Sequence, residues 1–314
     1  MDKYDLVVIG SGASGLSAAV SALKSGIKNV LILEKEDVLG GNLNLFINNG
    51  FGEYYLNETV TGPELGSILI ENFISLGGKV KINTRVLEVN RDKVITYVNP
   101  NEGIKSIEAE SIVLAAGCRE KYTGNIIVPV DKFTGIFTTA SAHRLINLTG
   151  YLPGKEVVIC GNDIWTLILA RRLVIESANI RGLITERKCF NRDELDIING
   201  FNIPIVYQSE VVEVDGEERV NLVKVNNFEK NEISTIECDS LVLSIGYLPE
   251  VDFLRKMSIM MDGEMINTTN SETSVQGIFV CGTMENGIES LFNSGESGLK
   301  VGKIAADYLN KVKY

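Results

Sequence analysis

Leu6-Val7-Val8-Ile9-Gly10-Ser11-Gly12-Ala13-Ser14-Gly15 decides the fold. The first four residues are a continuous apolar run, the pattern of a strand buried on both faces in a parallel sheet. A complete G-x-G-x-x-G follows at once. Gly10 permits a tight turn, Gly12 lets backbone approach a pyrophosphate, and Gly15 lets helix and strand pack closely. Ser11, Ala13 and Ser14 fill the loop between them, and free amides at the helix start suit an anion. Leu16 to Ser25 carry small and apolar residues at helical spacing, and Asn29 to Leu33 form a second strand. Glu34 ends that strand 24 residues after Gly10, where an acid binds ribose hydroxyls. Strand, glycine turn, helix, strand and acid together make one dinucleotide-binding βαβ unit.

Further along, Thr61-Gly62-Pro63-Glu64 marks a helix start, with a capping residue, an early Pro and an acid at the positive end. Val80 to Val89 and Lys93 to Val98 read as hairpin strands, and Ser111 to Ala115 as another buried strand before Ala116-Gly117. From Lys155 the opening is echoed. Glu156 to Cys160 is a strand, Ile164 to Glu176 a helix, and Gly182 to Thr185 a strand ending at Glu186. Asp239 to Ser244 and Gly277 to Gly282 complete the strands, and a last helix covers roughly Ser297 to Asn310. Such strand–helix alternation predicts an α/β fold with doubly wound sheets. Strands ending in Gly near Arg119 and Tyr247 set the expected boundaries: residues 1–119 and 247–314 form a first Rossmann-like domain, and 120–246 a second one inserted into it.

Composition narrows the function. Hydrophobic residues at 45% and charged ones at 23% describe an ordinary globular chain. A net charge of −11 repels phosphate backbones, so nucleic acid is not an expected partner. The N-terminus runs directly into a strand, and no apolar run approaches the ~20 residues of a membrane helix. The expectation is a cytoplasmic protein without a membrane span. The lone His143 cannot build a metal site or a His-based triad and reads as a packing residue on a helix. Cys118, Cys160, Cys189, Cys238 and Cys281 contain no Cys-x-x-Cys pair, so no metal site and no redox pair is expected. Met257, Met260, Met261 and Met265 read as apolar filling.

With Gly40-Gly41, Ser111 to Gly117 and Thr273 to Gly282 added, the chain resembles the two-dinucleotide-domain FAD oxidoreductases, the pyridine nucleotide-disulfide oxidoreductase-like group that includes thioredoxin and glutathione reductases. The resemblance covers essentially the whole chain. It implies an FAD-binding domain in two segments, an inserted NAD-binding-like domain, and a flavin that carries the chemistry with no catalytic side chain. It also implies FAD-binding roles for Gly10 to Gly15, Glu34, Lys35, Gly41, Asn42, Val86, Ala115, Ala116, Gly117, Gly282, Thr283 and Leu291. Ala116 to Glu120, Gly135 to Thr139, Gly150 to Lys155 and Ser244 to Glu250 are similar to bacterial members that accompany glycerol-3-phosphate or 2-hydroxyacid dehydrogenases, related to flavin subunits of sarcosine and opine oxidase complexes.

Two departures from that pattern matter. Where a second G-x-G-x-x-G would stand, the chain has Gly161-Asn162-Asp163-Ile164-Trp165-Thr166. Asp163 adds a side chain and a charge at the glycine that should face a pyrophosphate. At about 4 Å and an effective dielectric near 20, two unit charges repel by roughly 4 kcal/mol, less where the side chain turns to solvent. Glu186, 25 residues after Gly161, keeps the ribose-acid position and would favour NAD over NADP. Nicotinamide binding at Gly161 and Glu186 is therefore left open. The second departure is Leu45-Phe46-Ile47-Asn48, where relatives carry a Cys and a His, so disulfide chemistry has no support. Thr283 also replaces a common Asp. The expectation is an FAD-dependent oxidoreductase working with a protein redox partner in a larger dehydrogenase or oxidase, with a homo-oligomer also open. The alternatives are a self-sufficient NADH-dependent flavin reductase and a non-catalytic FAD-holding scaffold.

Overall fold

The computed structural model describes residues 1–122 and 132–312. Packing divides the chain into two compact units, Met1–Arg119 with Tyr247–Tyr314, and Glu120–Gly246.

The first unit opens with β1 (Asp2–Ile9), α1 (Ala13–Lys24) and β2 (Val30–Leu33). Leu6 to Ile9 and Val30 to Leu33 are all buried, as continuous apolar runs in a parallel pair require. A helix α2 (Gly62–Ser75) follows, started by a capping box in which Thr61 and Glu64 exchange hydrogen bonds. Next come β3 (Lys79–Lys81), β4 (Arg85–Val89), β5 (Val94–Asn99) and β6 (Gly103–Leu114). The single strand expected over Val80–Val89 is in fact two. β3 lies parallel to β2, whereas β4 pairs antiparallel with β5. The break is local: Asn83 takes φ +50°, and the amides of Asn83 and Thr84 donate to the carbonyls of Glu36 and Glu34. The chain is thus held against the end of β2 while it changes direction.

The second unit is built on β7 (Ile136–Thr138), α3 (Thr139–Thr149), β8 (Glu156–Gly161), α4 (Ile164–Ile175), β9 (Asn179–Ile184) and β10 (Ile205–Val206). An antiparallel sheet of β11 (Ser209–Gly216), β12 (Val220–Asn227) and β13 (Glu232–Glu237) follows, and β14 (Ser240–Ser244) returns to the parallel sheet. The parallel strands run in the order β7-β14-β8-β9-β10. Both faces are covered: Val158, Leu241 and Leu243 meet the antiparallel sheet, while Val157, Ile159 and Val242 meet α3 and α4.

The chain then returns to the first unit with β15 (Ile278–Val280) and α5 (Ser294–Val312). The sheet there runs β3-β2-β1-β6-β5-β4, with β15 paired parallel to the end of β6. α5 lies on α1, and two glycines make the approach close: a β-carbon at Gly298 would overlap the carbonyl of Ser14, and one at Gly302 that of Ala18. Among the methionines expected in the core, Met257 is fully buried but Met260 and Met261 are 63% and 42% exposed. Met261 opens, and Met260 precedes, the short hairpin of Met261–Asp262 and Met265–Ile266, which is too small to have an inner face for both. The architecture is the expected α/β one, with Rossmann-like parallel sheets.

Candidate functional site

In the first unit the carboxyl ends of β1, β6 and β15 converge on the start of α1. The Ala115 amide donates to Ile9 O at 2.9 Å, and the Cys281 amide to Leu114 O at 3.1 Å. Gly10 has φ +101°, and a β-carbon there would overlap the carbonyl of Ala115. One at Gly15 would overlap the carbonyl of Gly10. Both glycines are therefore required by backbone contact. Gly12 is different: its conformation is ordinary, φ −67° and ψ −175°, and a β-carbon there would meet nothing within 4 Å. Open space lies beside Gly12, at the helix end.

That end is electrically available. No side chain caps α1, and its first turn carries no acid. An uncapped helix start offers amide N–H groups and a partial positive charge to an anion. Glu34 is buried at the end of β2, where Oε2 accepts from the Ser11 amide at 2.9 Å and the Ser11 hydroxyl at 2.5 Å, and Oε1 accepts from the Glu36 amide at 2.9 Å. The carboxylate is thus fixed one residue from Gly12. The Gly40 amide donates to the carbonyl of Ser11, which brings Gly41 over Gly12, and Gly41 opens a 3-10 turn over Gly41–Leu45.

Of the other residues singled out in the sequence, Ala115 to Gly117 continue β6 past Gly10. Thr283 is buried, with its hydroxyl 3.6 Å from where a β-carbon of Gly117 would stand. Gly282 sits against Ser14 with φ +70°, and Leu291 is buried in the turn whose carbonyl accepts from Ser294. Val86 lies on β4, two residues after Thr84, whose amide reaches Glu34 O. Lys35 and Asn42 are exposed at the rim of this region. Sequence reading missed the glycine pair of α5, although Gly298-x-x-x-Gly302 was there to suggest a close helix crossing.

The second unit presents the same topology with opposite chemistry. Asp163 caps α4: Oδ1 accepts from the Thr166 amide at 3.0 Å, and Oδ2 from the Ser244 hydroxyl at 2.5 Å. The side chain is turned inward, with β14 holding one oxygen and the helix the other. Thr166, in the third glycine position, is fully buried and donates its hydroxyl to Asp163 O at 2.5 Å. Glu186 is exposed, and its amide is tied to Asn162 Oδ1 at 3.0 Å.

Three of the thiols, Cys160, Cys238 and Cys281, are sealed in the interior of their units. Burial pushes Cys160 and Cys281 up to about 12 and Cys238 up to about 11, all far on the inert side of a thiol's ordinary range. None of the five cysteines is joined in a disulfide. His143 is buried in α3, where desolvation pushes it down to about 4, and it is a neutral packing residue. No group of three His, Cys, Asp or Glu side chains able to hold a metal ion occurs among the described residues. No helix among them is long and apolar enough to cross a membrane.

The pyridine nucleotide-disulphide oxidoreductase profile matches residues 4–298. The chain belongs to that family. It is an FAD-dependent oxidoreductase of the thioredoxin reductase-like kind. It is 25% identical to a thioredoxin reductase of Borreliella burgdorferi over 90% of this chain and 84% of that one. It is 21% identical to the "34.2 kDa protein in rubredoxin operon" of Clostridium pasteurianum, over 98% of this chain and 97% of that protein. The fold is similar to that of T. acidophilum thioredoxin reductase, with a TM-score of 0.79 at 24% identity, covering 100% of this chain and 99% of the other. Unlike a dithiol reductase of the Cys-x-x-Cys type, this family member has no such pair in its sequence.

Proposed function

We propose that the chain holds FAD over Gly10 to Gly15 and exchanges electrons between that flavin and another protein, as companion or subunit of a larger dehydrogenase or oxidase. The observation that carries this reading is the contrast between two helix starts. The α1 end is open and uncapped, whereas the α4 end is occupied by the chain's own carboxylate. The residues of the first unit fit the cofactor. The open space at Gly12 suits a pyrophosphate, Glu34 suits the adenosine ribose, and Lys35, Gly41, Asn42 and Val86 border the same side. Ala115 to Gly117, Gly282, Thr283 and Leu291 line the approach from β6 and α5. When bound, FAD supplies the redox chemistry, accepting and returning electrons or hydride. The chain's own part is to bind it, orient it and keep water from it.

Several observations favour a protein as the exchange partner. A nicotinamide nucleotide would have to place its pyrophosphate against Asp163. The sequence holds no Cys-x-x-Cys pair to relay electrons. The Clostridium relative is named for a rubredoxin operon, and the segments Ala116 to Glu120 and Gly150 to Lys155 resemble flavoproteins that accompany glycerol-3-phosphate or 2-hydroxyacid dehydrogenases. One observation favours the second reading, an NADH-dependent reductase: Glu186 still follows β9 at the ribose-acid position. Anaerobic addition of NADH, NADPH and dithionite to the purified yellow protein separates the two. The expected result is bleaching of the flavin by dithionite and by neither nucleotide. Rapid bleaching by NADH would overturn the partner-fed reading, and a colourless protein that takes up no FAD would overturn the flavin assignment.

A further inference from the structure

A second carboxylate, Glu120, stands at a helix start of the inserted unit. Glu120 is half-buried beside the start of α3, and both of its oxygens lie 2.9 Å from the donated amide of Ala140. Thr138 and Ser141 already form the capping box of that helix, so Glu120 is a further anion at an already capped end. α3 follows β7, α4 follows β8, and β14 lies between those two strands. The carboxyl edge of a doubly wound sheet at such a change of strand order is where dinucleotides lie. Here the helix on each side of β14 has a carboxylate at its positive end. The two acids feel each other: burial holds Glu120 above the usual carboxylate range, and the charge of Asp163 pushes it the same way.

We infer that Glu120 and Asp163 act together as a built-in anion block that keeps pyridine nucleotides out of the inserted unit. The inference rests on the partner-fed reading and deepens it by naming the residues that enforce it. Asp163 takes the amide and the space a pyrophosphate needs. Glu120 holds the neighbouring helix start, so the remaining half of a dinucleotide meets a second negative group on the other side of β14. Ser244 locks the arrangement by fixing Asp163 from that strand. Glu120 is a specificity-determining residue on this account, although no motif at its position signals it.

The test is equilibrium dialysis of the FAD-loaded protein against NADH and NADPH at neutral to mildly alkaline pH. The proteins are the wild type, Asp163→Gly, Glu120→Gln and the double variant. Asp163→Asn, which keeps a good helix cap, stands in if the glycine variant melts early. The wild type is expected to show no saturable binding into the millimolar range. Asp163→Gly should gain weak binding, and the double variant should bind roughly tenfold more tightly again. A double variant no tighter than Asp163→Gly removes Glu120 from the block. A double variant that keeps its flavin spectrum and still binds neither nucleotide overturns the whole inference, while the partner-fed reading stands. Micromolar binding of NADH by the wild type would sink that reading as well.

Discussion

Replacing Gly12 by Asp should separate flavin binding from folding. Gly12 has a backbone conformation open to any residue, and its missing side chain points into empty space. The fold therefore tolerates the change. Aspartate is a better helix cap than the glycine now there, so the apoprotein should be unchanged or more stable by a few tenths of a kcal/mol. Flavin binding should suffer heavily. The new carboxylate would stand where α1 offers its positive end to the pyrophosphate, as Asp163 stands on α4. At about 4 Å with an effective dielectric near 20, repulsion of one charge is roughly 4 kcal/mol. At about 1.4 kcal/mol per decade, this approaches a thousandfold loss of affinity, less where the side chain swings outward. The assay is FAD titration of apoprotein by quenching of flavin fluorescence, beside a thermal melt of the same sample. Gly12→Asn, equal in size and uncharged, should lose clearly less. Wild-type FAD affinity in G12D, with an unchanged melt, would refute the placement of the pyrophosphate. A large fall in the apoprotein melt would refute the claim that this glycine is free of packing duties.

Gly302→Ala should do the reverse, because its β-carbon would overlap the Ala18 carbonyl of α1. Forcing α5 off α1 should cost about 1–3 kcal/mol in a urea melt, and an unchanged midpoint would show that the helices are not in close contact. His143 sets a pH dependence. Its folded value of about 4 lies below its ordinary 6.5, so the fold holds the ring neutral while the unfolded chain takes up a proton. Stability should therefore fall as pH drops from about 6.5 to about 4, by up to about 3 kcal/mol from this group. His143→Gln should flatten that segment of the stability–pH curve, and identical curves for the two proteins would contradict the buried neutral ring.

What could be read from the sequence was what local physics dictates. The apolar run Leu6 to Ile9, the glycines at 10, 12 and 15 and the acid at Glu34 constrain one another within a single βαβ unit. Thr61 to Glu64 likewise forms its capping box from four adjacent residues. What escaped depended on distant partners. The strand break at Asn83 is set by carbonyls of Glu34 and Glu36, nearly fifty residues back, so alternation alone could not show it. Hydrophobicity suggested burial for Met260 and Met261, but the hairpin there has too little interior to receive them. Asp163 could be recognised as out of place, yet its second oxygen is held by the hydroxyl of Ser244, too far along the chain for local sequence to show. Glu120 gave no signal because its helix partner, Ala140, lies twenty residues further on, in a different element.

The dependence of the first unit on β15 and α5 has a consequence for biosynthesis. Its central strand β6 is completed by residues 278–280, and α1 has no close helical neighbour on that side until Gly298 and Gly302 arrive. The inserted unit, by contrast, is whole once Gly246 has been made. Domains fold as units while a chain emerges from the ribosome. The segment that starts first is thus finished last, and during the interval the edge of β6 and one face of α1 stand exposed. A nascent chain stalled before α5 would carry a finished inserted unit and an unfinished first unit, with apolar surface that its missing C-terminal segment would have covered.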